Sequence, residues 1–214
     1  MCHFVMTMGT CTTTLPPPPD FNGHDYVDLG LPSGTLWATM NVGASKPSDA
    51  GLYFQWGDIV GYTKEQIGKD KQFNIKDDKW IQNTSIIKYA NPSDTLELED
   101  DAAHFHMGGD WHMPSPDQCQ ELIDSTTTAW TTSNGVSGTT FTSKKDASKS
   151  IFIPAAGEAQ DGLLSNSGSQ GDVWLSKVSA VYPYFGDIIF LESSSISNSA
   201  DYRHIGKSVR GVIG

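Results

Sequence analysis

The sequence predicts one domain of the α+β class, and three observations lead to this prediction. Residues from Thr35 to Val42 alternate between apolar and polar sides, as a half-buried strand does. A well-specified helix start lies at Ser115, and the chain beyond Ser125 is rich in Thr, Ser and Gly with short apolar runs. A chain of 214 residues can bury a core, and one domain is the default at this length. Two short helices among many short strands define the α+β class.

Residues 1–20 are predicted to form a tail outside the domain, which we place at residues 21–214. Pro16 to Pro19 make a polyproline stretch, which is stiff and extended. The first fifteen residues have no basic start and no small-residue cleavage pattern, so the sequence shows no clear signal peptide. Such tails are ordered only when something holds them, and a homo-oligomer joined through the tail is one arrangement that would do so.

The first half of the domain is predicted to be mostly extended. Tyr26 to Leu31 form an extended stretch that ends at the turn Pro32-Ser33-Gly34. The aromatic-rich run Leu52 to Trp56 reads as a buried segment. Gly61 to Asn91 is rich in Lys and Asn with irregular hydrophobicity, so we expect a surface excursion with short helices at most.

Two helices follow. The first is expected at Leu98 to His104, where three consecutive acidic residues favour a helix N-terminus. The second begins after Ser115, with Pro116 suited to the first helical position and Gln118 placed for a capping box. Beyond it we expect strands at Thr139 to Ser143, Ile151 to Ile153, Val173 to Leu175, Ile188 to Leu191, and Ser208 to Ile213.

Charge and cysteine content exclude several classes of function. The formal net charge is -11, so nucleic acid would be repelled and is not an expected partner. No apolar run approaches the roughly 20 residues that a membrane span needs. Cys2, Cys11 and Cys119 show neither a zinc-binding spacing nor a disulfide framework.

Metal and enzyme signatures are weak. His104, His106 and His112 are candidate ligands for zinc, although buried histidines more often hydrogen-bond within a core. Asp100 and Asp101 could bind calcium, and the alternative is that they cap a helix. The sequence contains no nucleophile elbow, phosphate loop or dinucleotide-binding motif. We therefore expect no catalytic residues, no cofactor and no enzyme activity.

Four blocks stand in a fixed order along the chain and carry a family resemblance. They are DYVDLGLPSGTLWATMNVGA (25–44), DDAAHFHMGGDWHMP (100–114), SIFIPAAG (150–157) and GKSVRG (206–211). Together they resemble bacterial and phage proteins with a C-type-lectin-like fold, namely the Fibrobacter-type major paralogous domain family and the variable proteins of diversity-generating retroelements. The resemblance implies that the N- and C-terminal strands, Tyr26 to Leu29 and Ser208 to Val212, pair with each other.

The match has departures. The family more often has Arg where His112 stands, continues with Ser-Ser where Leu175-Ser176 stand, and has Pro where Gly211 stands. The triplets with which sugar-coordinating lectins bind calcium are missing, so calcium-dependent sugar binding is not supported. The sulfatase-modifying, formylglycine-generating enzymes of the same fold use cysteines late in the chain, and no cysteine follows Cys119.

The resemblance implies ligand or receptor binding through a C-terminal variable region, which we place at residues 172–205. Adenine-directed mutagenesis of Asn codons cannot produce Lys, Gln, Glu, Met or Trp, and these types occur there only as Trp174, Lys177 and Glu192. Tyr-rich and Ser-rich surfaces bind well because Tyr offers rigid contact area. We predict an exposed contact set of Asp172, Val173, Leu175, Tyr182, Tyr184, Phe185, Asp187, Asp201, Tyr202, His204 and Ile205.

The expected partner is a protein or glycan receptor on a cell surface. The expected location is extracellular, on a phage virion or a bacterial cell surface, with gut bacteria and their phages as the setting that the resemblance implies. Two alternatives stay open: an adhesin or carbohydrate-binding protein of fixed specificity, and an enzyme of the sulfatase-modifying type. An ordinary polar surface of strands and loops is the simplest alternative for residues 172–205.

Overall fold

The computed structural model of the protein describes residues 19–214. The predicted tail, with its polyproline stretch and its role in a homo-oligomer, lies almost entirely outside the described residues. Within residues 19–214, no helix is both long enough and apolar enough to cross a membrane.

The described part of the chain contains two α-helices and thirteen strands, most of them short. In chain order they are β1 (Tyr26–Val27), β2 (Leu36–Asn41), β3 (Ile81–Gln82), β4 (Ser85–Ile86), α1 (Ala102–Met107), α2 (Pro116–Ser125), β5 (Thr126–Ser133), β6 (Val136–Ser143), β7 (Ser150–Pro154), β8 (Glu158–Gln160), β9 (Leu163–Ser165), β10 (Gln170–Val178), β11 (Phe185–Glu192), β12 (Ser195–Tyr202) and β13 (Arg210–Ile213). Short 3-10 turns lie at Lys64–Gln66, Ile75–Asp77 and Leu98–Asp100.

The predicted α+β class and C-type-lectin-like fold are wrong for this chain. About 40% of the described residues are in strands and 13% in helices, and the strands form five small separate sheets. The longest strands that were not predicted are β5 and β12. Both are polar and neither is buried along its length, so they lack the apolar alternation that marks a strand in a sequence.

The predicted pairing of the first and last strands is also wrong. The strands β1 and β13 lie on opposite sides of β2 in an antiparallel sheet of order β1-β2-β13. Tyr26 lies opposite Ala38, and Ile213 lies opposite Leu36. The strand β2 is therefore hydrogen-bonded along both edges, and Trp37 and Ala38 on its two faces are both buried, so the predicted half-buried alternation is not observed.

The helix start at Ser115 is confirmed. The Ser115 hydroxyl accepts a hydrogen bond from the Gln118 amide, and the Gln118 side chain accepts one from the Ser115 amide at 2.9 Å. The predicted helix at Leu98 to His104 is a 3-10 turn followed by α1, whose N-cap is Asp101. Capping chemistry thus predicted the start of α2 correctly, whereas α1 begins at Ala102 and not at the predicted Leu98.

Large aromatic side chains fill the core. Four tryptophans are at most 1% exposed, and they are Trp37, Trp56, Trp111 and Trp174. The antiparallel sheet of β10, β11 and β12 packs against α2 on one face. Its other face meets the core around Trp56, since a Cβ atom on Gly186 of β11 would lie 2.4 Å from the Trp56 ring.

Arg210 ties the C-terminal strand to two others. Its guanidinium is fully buried and donates to the Asn41 side chain at 2.8 Å and to the carbonyls of Ala38 and Phe152 at 3.0 Å each. These bonds join β13 to β2 and β7. Burial lowers the pKa of Arg210 to about 9, so the guanidinium is still charged at neutral pH.

Candidate functional site

The site is built on β11 and β12, which form a hairpin at the edge of their sheet. Phe185 lies directly opposite Tyr202, and Asp187 lies directly opposite Ala200. Side chains of directly opposite residues project from the same face of a sheet, as do those two residues apart. Phe185, Asp187, Ala200 and Tyr202 therefore share one face, while Gly186 between them faces Trp56.

Four aromatic side chains come together on this face and in the turn before it. We call Tyr182, Tyr184, Phe185 and Tyr202 the aromatic patch. The Tyr182 ring lies 5.3 Å from Tyr184 and 4.9 Å from Phe185, and Phe185 lies 4.5 Å from Tyr202, measured between ring centroids. Tyr182 is 42% exposed and Tyr202 is 41% exposed. The patch is therefore continuous and open to solvent.

The patch borders the surface excursion whose role the sequence left unread. The Tyr184 hydroxyl donates a hydrogen bond of 2.6 Å to the carbonyl of Thr84, in the turn between β3 and β4. A groove of about 640 Å³ lies along this hairpin, lined in part by Ile75, Ile81 and Thr84. Sequence reasoning missed this contact, because residues 84 and 184 are a hundred positions apart and share no motif.

Asp187 is the acidic member of this face. Its side chain is half-buried, and no hydrogen bond or ion pair from the residues described reaches its carboxylate within 4.0 Å. Burial raises the pKa of Asp187 to about 6, and the nearby positive charge of Lys177 only partly opposes this effect. The carboxylate is therefore negative at neutral pH but held in an unfavourable environment.

Five predicted contact residues are buried, and their assignment to an exposed set is wrong. They are Asp172, Val173, Leu175, His204 and Ile205, none of which is more than 8% exposed. Val173 and Leu175 lie on β10 and pack into the core with Ile189. A strand that is buried on both faces has a continuous apolar run instead of alternating apolar and polar residues. The sequence therefore does not show which of its residues are exposed.

Asp172 and Asp201 form ion pairs with the buried Lys207. The Lys207 ammonium is completely buried and lies 2.7 Å from Asp172, 2.8 Å from Asp201 and 2.7 Å from Glu158. Burial alone would lower the pKa of Lys207, but the three carboxylates outweigh it and raise the pKa. Asp172 and half-buried Asp201 are therefore anchors that fix the sheet beneath the patch.

The three candidate histidines, His104, His106 and His112, each hydrogen-bond to the backbone. His104 and His112 hydrogen-bond through Nδ1 to backbone carbonyls at 3.1 and 2.9 Å, and His106 does so through Nε2 at 2.9 Å. A carbonyl only accepts, so each of these nitrogens carries a proton, and in a neutral ring the other nitrogen keeps the lone pair. The three histidines were candidates beside an expectation of no metal, and among residues 19–214 none of them belongs to a group of converging ligand atoms.

Among the described residues, the side chains whose possible metal-binding atoms lie close together are two groups of carboxylates, and each group is already paired with a lysine. Glu97, Glu99 and Asp100 surround Lys88, just as Asp172 and its neighbours surround Lys207. Asp101 caps α1 and also accepts from the Met113 amide at 2.8 Å. The helix-capping alternative for Asp101 is therefore confirmed.

Comparison with protein-family models, with curated protein sequences and with solved structures finds no match to this chain. The family membership that the four sequence blocks indicate stays a prediction.

Proposed function

We propose that this protein binds a ligand or receptor through the aromatic patch and that its C-terminal region varies between copies, as in the variable proteins of diversity-generating retroelements. The observation that carries the proposal is the unbroken contact of Tyr182, Tyr184, Phe185 and Tyr202 on an accessible surface. Tyrosine side chains dominate binding surfaces because they combine large contact area with few rotatable bonds.

The support beneath the patch fits this role. The strands that carry it are fixed by the Lys207 cluster and by β10 in the core. Tyr182 and Tyr202 project from that framework and contribute little to it, so their replacement would change the surface without dismantling the fold. A rigid framework with replaceable surface residues lowers the entropy lost on binding.

The residues that adenine-directed mutagenesis cannot produce also fit the proposal. Trp174 is fully buried and donates to the Phe54 carbonyl at 2.8 Å, so it belongs to the fixed framework. Lys177 and Glu192 lie outside the aromatic patch. Each member of the patch is a residue type that the mechanism allows.

The proposed partner is a protein or glycan receptor on a cell surface, reached from a phage virion or a bacterial surface. An adhesin of fixed specificity would use the same patch and differs only in having an invariant gene. The enzyme alternative draws no support from Cys119, which is buried and whose pKa burial raises to about 12, because a reactive thiol needs exposure and a lowered pKa.

Sequencing the gene, its neighbourhood and its 3′ end across a natural population tests the variation. We expect a near-copy of the region that encodes residues 172–205, differing at adenines, next to a reverse transcriptase gene. Substitutions should fall at Tyr182, Tyr184, Phe185 and Tyr202 and spare Lys207. An invariant 3′ end would indicate the adhesin instead.

Binding is tested with purified, fluorescently labelled protein on a panel of intact bacterial cells. Tyr202→Ala should lower the affinity about 5- to 100-fold, the usual effect of losing a central tyrosine. Tyr26→Ala is the matched control, since Tyr26 is 43% exposed but lies outside the patch. Equal losses in both variants would contradict the proposed binding surface.

A further inference from the structure

We infer that the aromatic patch receives a basic side chain, an ammonium or a guanidinium from a protein partner, against the carboxylate of Asp187. The inference rests on the proposed function and names the chemistry of the partner. It starts from the position of Asp187 on β11, two residues from Phe185 and directly opposite Ala200.

Asp187 and the ring pair lie on one face of the hairpin. Ala200, directly opposite Asp187, carries only a methyl group and offers the carboxylate no polar partner. The Phe185–Tyr202 ring pair stands one step along the same face, at the roughly 7 Å spacing of residues two apart in a strand. A cation beside Asp187 on this face would touch the carboxylate and an aromatic ring together. Aromatic rings attract cations within about 6 Å of the ring centroid.

Asp187 has no positively charged partner within the described residues. Three carboxylates with little exposure have partners: Asp172 has Lys207, Asp100 has Lys79 and Lys88, and Asp101 accepts from two backbone amides. A fourth, Asp78, accepts from the Trp80 amide through one oxygen only. Asp187 has no such partner among residues 19–214. Lys177, the nearby basic residue on β10, is not within 4.0 Å of it.

The remaining titratable groups near this face do not supply the missing charge. His204 lies against Tyr202 at 5.3 Å between ring centroids, and burial lowers its pKa, so it is neutral at pH 7. Asp201 points to the opposite face, where it pairs with Lys207. The net charge of -11 adds a long-range attraction for a basic partner.

Two peptides that differ in a single charge test the inference. Acetyl-Gly-Arg-Gly-amide and its citrulline counterpart have nearly the same shape, but only arginine is cationic. In NMR titrations of the whole ¹⁵N-labelled protein at pH 7.5, the arginine peptide should shift the amide signals of residues 185–187 and 200–202. We expect the citrulline peptide to bind at least fivefold more weakly.

Asp187→Asn is the matching change in the protein, and it should weaken the arginine peptide at least fivefold. Glu192→Gln is the control, since it removes a carboxylate from the far end of the same strand, and it should bind like the wild type. Thermal unfolding of both variants verifies that they are folded. Equal binding of the two peptides, or unchanged binding by Asp187→Asn, would overturn the inference.

Cell binding separates this inference from the proposed function. Loss of cell binding in Tyr202→Ala with no effect of Asp187→Asn would keep the patch as the binding surface and overturn the cationic partner. Competition by an uncharged oligosaccharide, with Asp187→Asn binding as tightly as the wild type, would identify a glycan and also overturn it. Binding of the arginine peptide with unchanged cell binding by Tyr202→Ala would uphold the cation site and contradict the proposed function.

Discussion

Two neighbouring segments near the C-terminus use the same residue classes in opposite ways. Residues 182–202 carry an exposed aromatic patch and a carboxylate without a partner. Residues 203–213 carry three basic side chains, Arg203, Lys207 and Arg210, each of which is completely buried. Exposed Tyr202 and buried Arg203 are adjacent in the chain.

The difference lies in how the charges are satisfied. Arg203 lies 4.6 Å over the Trp56 ring and donates to the carbonyl of Tyr89. Lys207 is matched by carboxylates and Arg210 by backbone carbonyls. Buried charges need such partners, whereas Asp187 at the surface has none. The comparison shows that the buried basic residues of the second segment all have partners, whereas the half-buried Asp187 of the first segment has none among residues 19–214.

Replacing Lys207 with methionine should produce the largest effect. Three carboxylates would face each other without a cation, and one of them, Asp172, is fully buried. Breaking a buried ion pair by removing one partner costs about 3–5 kcal/mol. Urea unfolding of the purified variant should show a loss of that size in the free energy of unfolding.

A second change checks the cause. Adding Asp172→Asn to Lys207→Met removes one of the crowded negative charges and should restore part of the lost stability. The single variant should also gain stability as the pH falls below 7, because protons then neutralise the carboxylates. If neither Asp172→Asn nor a pH below 7 restores any of the lost free energy of unfolding, then Lys207 stabilises the fold by packing and not by its charge.

Gly186 tests the two faces of β11. A Cβ atom there would lie 2.4 Å from the Trp56 ring, so Gly186→Ala should overpack the core and cost about 1–3 kcal/mol in unfolding free energy. Ala200→Ser on the opposite face of the hairpin, where the side chain is half-buried, is the control and should change stability by less than about 0.5 kcal/mol. Equal effects would contradict the assignment of Gly186 and Ala200 to different faces.

Elements with a local chemical signature could be predicted from the sequence, and elements that depend on distant partners could not. The capping box at Ser115 depends on nearby residues and appears as expected. A strand does form at Leu36–Asn41, but the predicted half-buried alternation is wrong, because Trp37 and Ala38 on its two faces are both buried. The strand β12 has no apolar stripe, and it forms because all eight of its residues pair with β11. The predicted fold class was wrong in part because polar edge strands such as β12 could not be recognised in the sequence.

The candidate site shows the same division. Tyr182, Tyr184 and Tyr202 were predicted from composition and are accessible, at least in part, on one surface. Composition could not separate Asp187 from Asp172, since only the fold reveals that Lys207 reaches one and not the other. Residues that bind and residues that anchor therefore look alike until their partners are known.

Asp187→Asn should increase stability, in contrast to the changes above. Burial raises the pKa of Asp187 from 3.8 to about 6, so the folded state binds a proton more tightly than the unfolded state. The free energy of unfolding therefore falls as the pH rises from about 4 to about 6, and the carboxylate is unfavourable above that window. Asparagine removes this penalty, with an expected gain of about 1 kcal/mol at pH 7 after solvent screening.

Unfolding measured at pH 4 and pH 7 checks this prediction. The variant and the wild type should have nearly equal stability at pH 4, where Asp187 is protonated in the folded state, and should differ at pH 7. Glu192→Gln should show no such dependence on pH. A variant less stable than the wild type at pH 7 would mean that the Asp187 carboxylate has a stabilising partner and is not free for a ligand.

Tyr202→Ala should have the smallest effect on stability and a large effect on binding. The side chain is 41% exposed and its main contact, with Phe185, is itself at the surface, so we expect a loss below about 1 kcal/mol. The same change should cost about 1–3 kcal/mol in binding to the receptor-bearing cells. Urea unfolding and cell-binding titrations on one preparation separate the two quantities. A variant that unfolds several kcal/mol more easily, yet binds normally, would place Tyr202 with Lys207 among the residues that hold the fold and would remove the contrast between the two segments.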